Sequence, residues 1–289
     1  MLDINKAEKF VKEKEGLPPF NREQLILLER KYHFQPRKRL GQNFLVDKNL
    51  AQVIVATLKL EKKEVVYEIG PGFGILTYFL LQQAKKVVAI EKDRRLVEIL
   101  KKTFSSTPNL EVVSADIREF LTRALTPGKF IGNPPYYLSS PLIHQLLTLQ
   151  PRPQTIVLVL QKELGEKIIA QPPKANRLSV FIQLTSRAQV IRSIGREAFW
   201  PRPQIDSLLL EIQPFNTPPL SLQNLAFINR AFSSPRKTLL NNLSGKKSEG
   251  RPLLASRLQS RGIGPLRRPG SLSLKEWRNL LRYFQKKNN

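Results

Sequence analysis

"VVYEIGPGFGILT", Val65 to Thr77, is the stretch on which the fold turns. A β-branched apolar run ends in glycines at alternate positions, Gly70, Gly72 and Gly74, and passes directly into a helix-forming segment. Glycine there lets the chain turn tightly and lets a ligand approach main-chain N–H groups. The G-x-G-x-G spacing is not the dinucleotide fingerprint, whose third glycine stands three positions on, and it lacks the Lys-Ser/Thr of a P-loop. A turn kept for packing alone is the competing reading. Glu68, at the strand end, suits either a positively charged cofactor or a turn that it helps to hold.

Outward from this turn, "KVVAI", "LEVVSA", "KFIGN", "TIVLVL" and "SLLLEI" alternate with helix-period segments from about Gln35 to Pro214. That alternation predicts an α/β domain on a mostly parallel sheet with helices on both faces. After "FNTPPLSL" strand signals cease, and short helical stretches are broken by "SGKKSEGRP" and "GIGPLRRPGS", which predicts a small all-helical domain. The expected division is a charged extension over 1–34, an α/β domain over 35–215 and a basic helical domain over 216–289. The extension carries one helix, "REQLILLERKYHF", and reads as peripheral.

Charge bounds the partner. The 289 residues carry 48 Lys+Arg against 23 Asp+Glu, a formal net charge of +25. From Ser221 onward there are 15 basic and 2 acidic residues, so half of the excess lies in a quarter of the length. A polyanion is the default partner for such a chain. No run approaches the roughly 18 apolar residues of a spanning helix, and the start, "MLDINKAEKFVKEKEG", lacks the apolar core of a signal peptide. With no cysteine and two histidines, a thiolate or histidine metal site is not expected. These features predict a cytoplasmic protein with no membrane partner and no metal.

Two acids point to the ligand. "VVAIEKD" puts Glu91 at the end of the next strand, roughly 20 residues after the glycine turn, where an acid accepts from both ribose hydroxyls. One strand later Asp116 of "VVSADIREF" can accept from the exocyclic amine of an adenine. Each acid alone is as well explained as a helix N-cap. Together, at the ends of successive strands, they predict an adenosine-containing ligand, either NAD or S-adenosylmethionine, with the glycine pattern against NAD.

The following strand ends in "IGNPPYYL", Ile131 to Leu138. Asn-Pro-Pro-Tyr resembles the active-site motif of methyltransferases that act on planar amino groups, which selects S-adenosylmethionine. The lone pair of adenine N6 is delocalised into its ring. The Asn133 side-chain oxygen and the Pro134 carbonyl can accept the two N–H hydrogens and aim that lone pair at a methyl group. Proline fixes the carbonyl without adding an N–H. Tyr136 stacks on the flipped base in this reading.

"RKRLGQNFLVD", "LVLQKELGEKII", "AFWPRPQIDSLLLEI" and "RAFSSPRKTLLNNL" resemble, in family order, the KsgA/RsmA family of small-subunit ribosomal RNA adenine dimethyltransferases. The likeness runs from about Arg37 to Asn242, with a weaker tail. It implies that Asn43, Leu45, Gly70, Glu91, Asp116 and Asn133 contact the cofactor or the site it shares with the base. It further implies that Phe199 forms a second aromatic wall opposite Tyr136. The chain departs from the family's usual Asn-Leu-Pro-Tyr at Pro134, a form more typical of DNA adenine and protein glutamine methyltransferases, and its lead-in is longer.

Arg236, Lys237, Arg267 and Arg268 lie near helix starts and turns, where they can neutralise RNA phosphates; a solvated basic face is the alternative for any one of them. The resemblance implies N6,N6-dimethylation of two adjacent adenines near the 3′ end of 16S rRNA in the 30S subunit. The competing readings are a resistance enzyme acting on 23S rRNA, a DNA adenine methyltransferase and a non-catalytic RNA-binding assembly factor. "RKTLLNNL" favours the small-subunit branch, and the intact Glu91, Asp116, Asn133 and Tyr136 weigh against a binding-only role. With no visible dimer seam, a monomer is the default.

Overall fold

The computed structural model describes residues 17–135, 138–216, 220–244 and 250–285. They fall into two compact units, one of Met1–Lys162 with Gln189–Gln213 and one of Glu163–Ala188 with Pro214–Asn289.

The first unit is built on the predicted βα alternation. Strands β2 (Val65–Ile69), β3 (Lys86–Glu91), β4 (Leu110–Ser114), β5 (Lys129–Gly132) and β6 (Ile156–Gln161) pair in parallel, in the order β4-β3-β2-β5-β6. Apart from β4, which is the edge strand and only partly covered, these strands are buried and read as continuous apolar runs, which makes their sequences legible. Between them lie α3 (Ile75–Leu81), α4 (Arg94–Thr103), α5 (Ile117–Phe120) and α6 (Ser139–Thr148). β9 (Ser207–Pro214) adds antiparallel to β6, and the edge strand β7 (Ser186–Ile194) completes a sheet of seven. β7, "SRAQVIRSI", is a strand the sequence pattern does not announce, because Arg187 and Arg192 interrupt its apolar positions, as charges often do on a sheet edge.

A separate two-stranded ribbon joins β1 (Phe44–Leu45) to β8 (Phe199–Trp200), with Phe44 opposite Trp200 and Leu45 opposite Phe199. Helix α2 (Lys48–Thr57) follows β1, capped by Asp47, which accepts from Leu50 N–H at 2.9 Å.

The described part of the lead-in, from residue 17, is not peripheral. Helix α1 (Arg22–Lys31) starts at Asn21, whose side chain accepts from the Gln24 N–H. Its apolar face buries Leu25 and Leu28, which join Phe34, Phe44, Phe73, Leu96 and Ile99 in one cluster. The rings of Phe34 and Phe44 meet Phe73 at 5.2 and 4.9 Å. Phe73 belongs to the glycine turn itself, so α1 braces the floor of the turn. Leu25 is fully buried. Leu25→Ala is expected to cost about 3 kcal/mol and to lower the melting temperature by roughly 6–12 °C, measured by calorimetry on the empty protein.

The second unit contains α8 (Arg177–Thr185), α9 (Leu222–Ala231), α10 (Leu239–Ser244), α11 (Arg251–Gln259) and α12 (Leu274–Gln285), with most of α7 (Lys162–Ile169). Its core gathers Val180, Ile228, Leu239, Leu258, Ile263, Trp277 and Leu280. The segment Glu163–Ala188 therefore differs from its expected place in the α/β domain. Val180 of α8 buries its side chain among the C-terminal helices, a partnership that local patterning does not display.

Candidate active site

Strand order places the site. β2 is flanked by β3 on one side and β5 on the other, so the chain reverses its direction of travel across the sheet there and leaves a crevice beyond the carboxyl ends. Gly70 follows β2 and Asn133 follows β5. A Cβ on Gly70 would lie 3.8 Å from the Asn133 carbonyl oxygen, so the turn and the Asn-Pro-Pro segment face each other closely. Gly70 has φ +66°, where L side chains are strained. Gly72 has φ +60°, and a Cβ there would sit 2.8 Å from the Phe44 ring. The six expected cofactor residues, Asn43, Leu45, Gly70, Glu91, Asp116 and Asn133, all line one cleft beside this turn.

Glu91 is buried at the end of β3. Its Oε1 accepts from the Asp93 N–H at 2.8 Å and its Oε2 from the Gly72 N–H at 3.3 Å. Burial pushes its carboxyl up to about 7 against the lowering effect of those bonds. Asp116 caps α5, accepting from the Arg118 N–H, and also lines the cleft. Arg118 grips it as a fork, Nε to Oδ1 at 3.1 Å and Nη2 to Oδ2 at 2.8 Å, and Lys92 Nζ reaches Oδ2 at 2.9 Å. The Arg118 fork, reinforced by Lys92, holds the Asp116 carboxyl well below the usual carboxylate range.

Glu68 is fully buried and is not among the cleft-lining residues. The Thr77 hydroxyl donates to its Oε2 at 2.6 Å, while Oε1 has no partner among the described residues. Of its two sequence readings, holding the turn is the one this geometry supports. Burial raises its carboxyl to about 8. A folded-state value above the unfolded one means that the folded protein binds the extra proton from about pH 4.5 to 8, so stability falls as pH rises through that window. Glu68→Gln, which keeps an acceptor for Thr77, is expected to flatten the fall in melting temperature between pH 6 and pH 8.5 and to leave the variant the more stable of the two at the higher pH.

Asn133 is half-buried, and its Nδ2 donates to the Asn43 carbonyl at 2.9 Å. With the NH₂ end so fixed, Oδ1 points away as an acceptor that no described residue occupies. Pro134 is buried directly behind it. Tyr136 lies outside the described residues. Phe199 corrects the expectation of a second aromatic wall: it is 3 % exposed, packs with Leu45, Ile75 and Leu76 in the main core, and does not line the cleft. Side chains alternate along a strand. In β8 that parity turns Phe199 inward and Trp200 to the opposite side, where Glu29 Oε2 accepts from its indole N–H at 3.3 Å and Arg22 stacks on its ring at 4.0 Å.

Several lining residues carry no motif that sequence reasoning picked out. Pro19, Gln42, Lys92 and Leu138 reach the cleft through tertiary packing. Asp93 and Arg95 stand behind it in "EKDRR", where Asp93 reads only as the N-cap of α4.

In the second unit Arg236, Lys237 and Arg268 are exposed. The Leu239 N–H donates to the Arg267 carbonyl at 2.7 Å, which brings the two basic turns side by side. Arg267 itself is engaged by Glu276 and by Ser271, so it braces the turn that presents Arg268. Among the described residues no cluster of His, Asp or Glu is able to hold a metal ion, and no helix is long and apolar enough to cross a membrane.

The donor set fits S-adenosylmethionine: a buried acid for the ribose diol, an ionised acid for the adenine amine, and a glycine turn whose backbone a ligand can approach. Fold and site together define an S-adenosylmethionine-dependent methyltransferase. A family model described as ribosomal RNA adenine dimethylase matches residues 33–286, and the chain belongs to that family. It is 35% identical over 274 residues to ribosomal RNA small subunit methyltransferase A of Bacillus pumilus, covering 89% of this chain and 94% of the relative. Against the Dehalococcoides mccartyi protein of the same name it is 32% identical over 257 residues, covering 86% and 88%. Among solved structures, a dimethyladenosine transferase from Plasmodium falciparum superposes with a TM-score of 0.76 at 25% identity, covering 85% of this chain and 98% of that one. The 23S rRNA methyltransferase ErmE does so at 0.67 and 27%, covering 84% and 99%.

Proposed function

We propose that this methyltransferase dimethylates N6 of two adjacent adenines near the 3′ end of 16S rRNA in the 30S subunit, acting in the cytoplasm as a monomer. The observation that carries this reading is the Asn133 amide, which lines the cleft with Gly70 and Gly72 and is held through its Nδ2 by the Asn43 carbonyl, leaving its oxygen without a donor among the described residues. S-adenosylmethionine supplies an electrophilic methyl group on a sulfonium. Glu91 accepts from its ribose hydroxyls, Asp116 from its adenine amine, and the backbone at Gly70 and Gly72 lets it approach the sheet. Asn133 Oδ1 and the Pro134 carbonyl accept the two N6 hydrogens of the target base and turn its lone pair towards the methyl. Tyr136 supplies the stacking face. The new N–C bond forms as the methyl–sulfur bond breaks, its electron pair staying on sulfur in neutral S-adenosylhomocysteine, and the substituted nitrogen loses a proton to solvent, so no covalent enzyme intermediate is needed.

In this reading the first unit carries the chemistry and the second, basic in its C-terminal part, holds folded RNA through phosphate contacts from Arg236, Lys237 and Arg268, with Arg267 as their support. The likeness to ErmE favours one second reading, methylation of 23S rRNA. Transfer of labelled methyl groups to purified undermethylated 30S subunits and to 23S rRNA separates the two. Label in 30S is the expected result. Label confined to 23S rRNA would favour the second reading, and label in neither would contradict both.

A further inference from the structure

The cleft is lined by Gly41, Gln42 and Asn43 from one loop and by Glu91 and Lys92 from another, and the Gln42 side chain joins the two loops at Asp93. Gln42 Nε2 donates to Asp93 Oδ2 at 3.0 Å, while its Oε1 accepts from the Arg37 N–H at 2.7 Å. Both ends of the amide are therefore used, and its orientation is fixed.

Each neighbour of Gln42 leads to a group with a role in the reaction. Asp93 is buried, and its N–H holds Glu91 Oε1. Its carboxylate is gripped by Arg95, Nε to Oδ1 at 2.9 Å and Nη2 to Oδ2 at 2.5 Å. Arg95 in turn donates to the Gln35 carbonyl at 3.2 Å and lies over the Phe34 ring at 4.3 Å, so the grip is anchored to the lead-in. On the other side the carbonyl of Asn43, the residue after Gln42, is the acceptor that orients Asn133. Gly41, with φ +60°, gives this loop a left-handed turn, and Asn43 Nδ2 closes on the Gly41 carbonyl at 3.2 Å.

We infer that Gln42 is a positioning residue that couples the cofactor acid Glu91 to the base-accepting Asn133, through Asp93 on one side and the Asn43 carbonyl on the other. The inference rests on the reading of Asn133 as the acceptor for the target base. An amide held at one end transmits small displacements directly: if the 41–43 loop shifts, the Asn43 carbonyl moves and Asn133 Oδ1 swings off the line of attack. Asp93 and Arg95 serve as the fixed post. Burial alone would raise the Asp93 carboxyl, but the bonds from Arg95 and Gln42 outweigh it and hold it below its ordinary value, so Asp93 stays an acceptor at neutral pH.

The test compares wild type, Gln42→Ala, Gln42→Glu, Asn133→Ala and the Gln42→Ala/Asn133→Ala double variant. The readouts are single-turnover methyl transfer to undermethylated 30S subunits, the Kd for S-adenosylhomocysteine and the melting temperature. Gln42→Ala is expected to slow transfer about tenfold with the Kd within about threefold and melting within a few degrees. Gln42→Glu keeps the shape but turns a carboxylate on Asp93, and is expected to be at least as slow. In the Asn133→Ala background the Gln42 substitution is expected to cost nothing further, because its effect passes through Asn133.

A wild-type rate in Gln42→Ala or Gln42→Glu would overturn the inference, as would losses that multiply in the double variant. Inactive wild type on 30S would instead contradict the proposed function, before any variant is compared.

Discussion

Asn133→Ala is expected to slow methyl transfer by about 10²–10³-fold, the scale seen when one preorganised polar group is removed from a reacting centre, with a much smaller loss of cofactor affinity. The asymmetry follows from geometry. Asn133 borders the cleft, and in the proposed reading its held amide leaves Oδ1 to accept from the base, while Glu91 and Asp116 hold the ribose and adenine of the cofactor. Asn133→Asp is a sharper version, because it keeps an acceptor while removing the donor that binds the Asn43 carbonyl. It adds a negative charge and frees the side chain, so a comparable fall in kcat is expected. Rates on 30S subunits beside calorimetric binding of S-adenosylhomocysteine read the two effects separately.

Glu91→Ala is expected to weaken cofactor binding by about 10²-fold or more, since two hydrogen bonds to an ionised acceptor contribute about 1.5–3 kcal/mol each. The substitution also leaves the Gly72 and Asp93 N–H groups without the acceptor that organises the turn. A pH dependence accompanies it. In the proposed reading the carboxylate is the form that accepts from both hydroxyls, and burial places its titration at about 7. Affinity is therefore expected to rise between pH 6 and 8, by about tenfold, and then level off. Glu91→Gln should bind more weakly and show little of this rise.

Much of this site was legible because its residues follow strands. Glu91 and Asn133 stand at the carboxyl ends of the buried parallel strands β3 and β5, and Asp116 just past the end of the edge strand β4, where apolar runs mark the position. The glycine turn was legible for the same reason. Phe199 was misplaced because a motif records that an aromatic is present, whereas its direction depends on the pairing of β8 with β1, two short strands about 150 residues apart in sequence, numbered 44–45 and 199–200. β7 escaped notice through the basic residues that protect a sheet edge. The lead-in helix was visible as a helix, yet its partners Phe73 and Ile99 come from the glycine turn and α4. Gln42 and Asp93 illustrate the same limit: each has an ordinary local reading, and their shared role exists only where two loops meet.

The most direct measurement is mass spectrometry of nucleosides from undermethylated 30S subunits incubated with S-adenosylmethionine and either the wild-type protein or Asn133→Ala. N6,N6-dimethyladenosine with the wild type, and its near absence with the variant, is the result predicted here. Wild-type protein that binds the cofactor yet leaves the adenines of 30S unmodified would contradict the account.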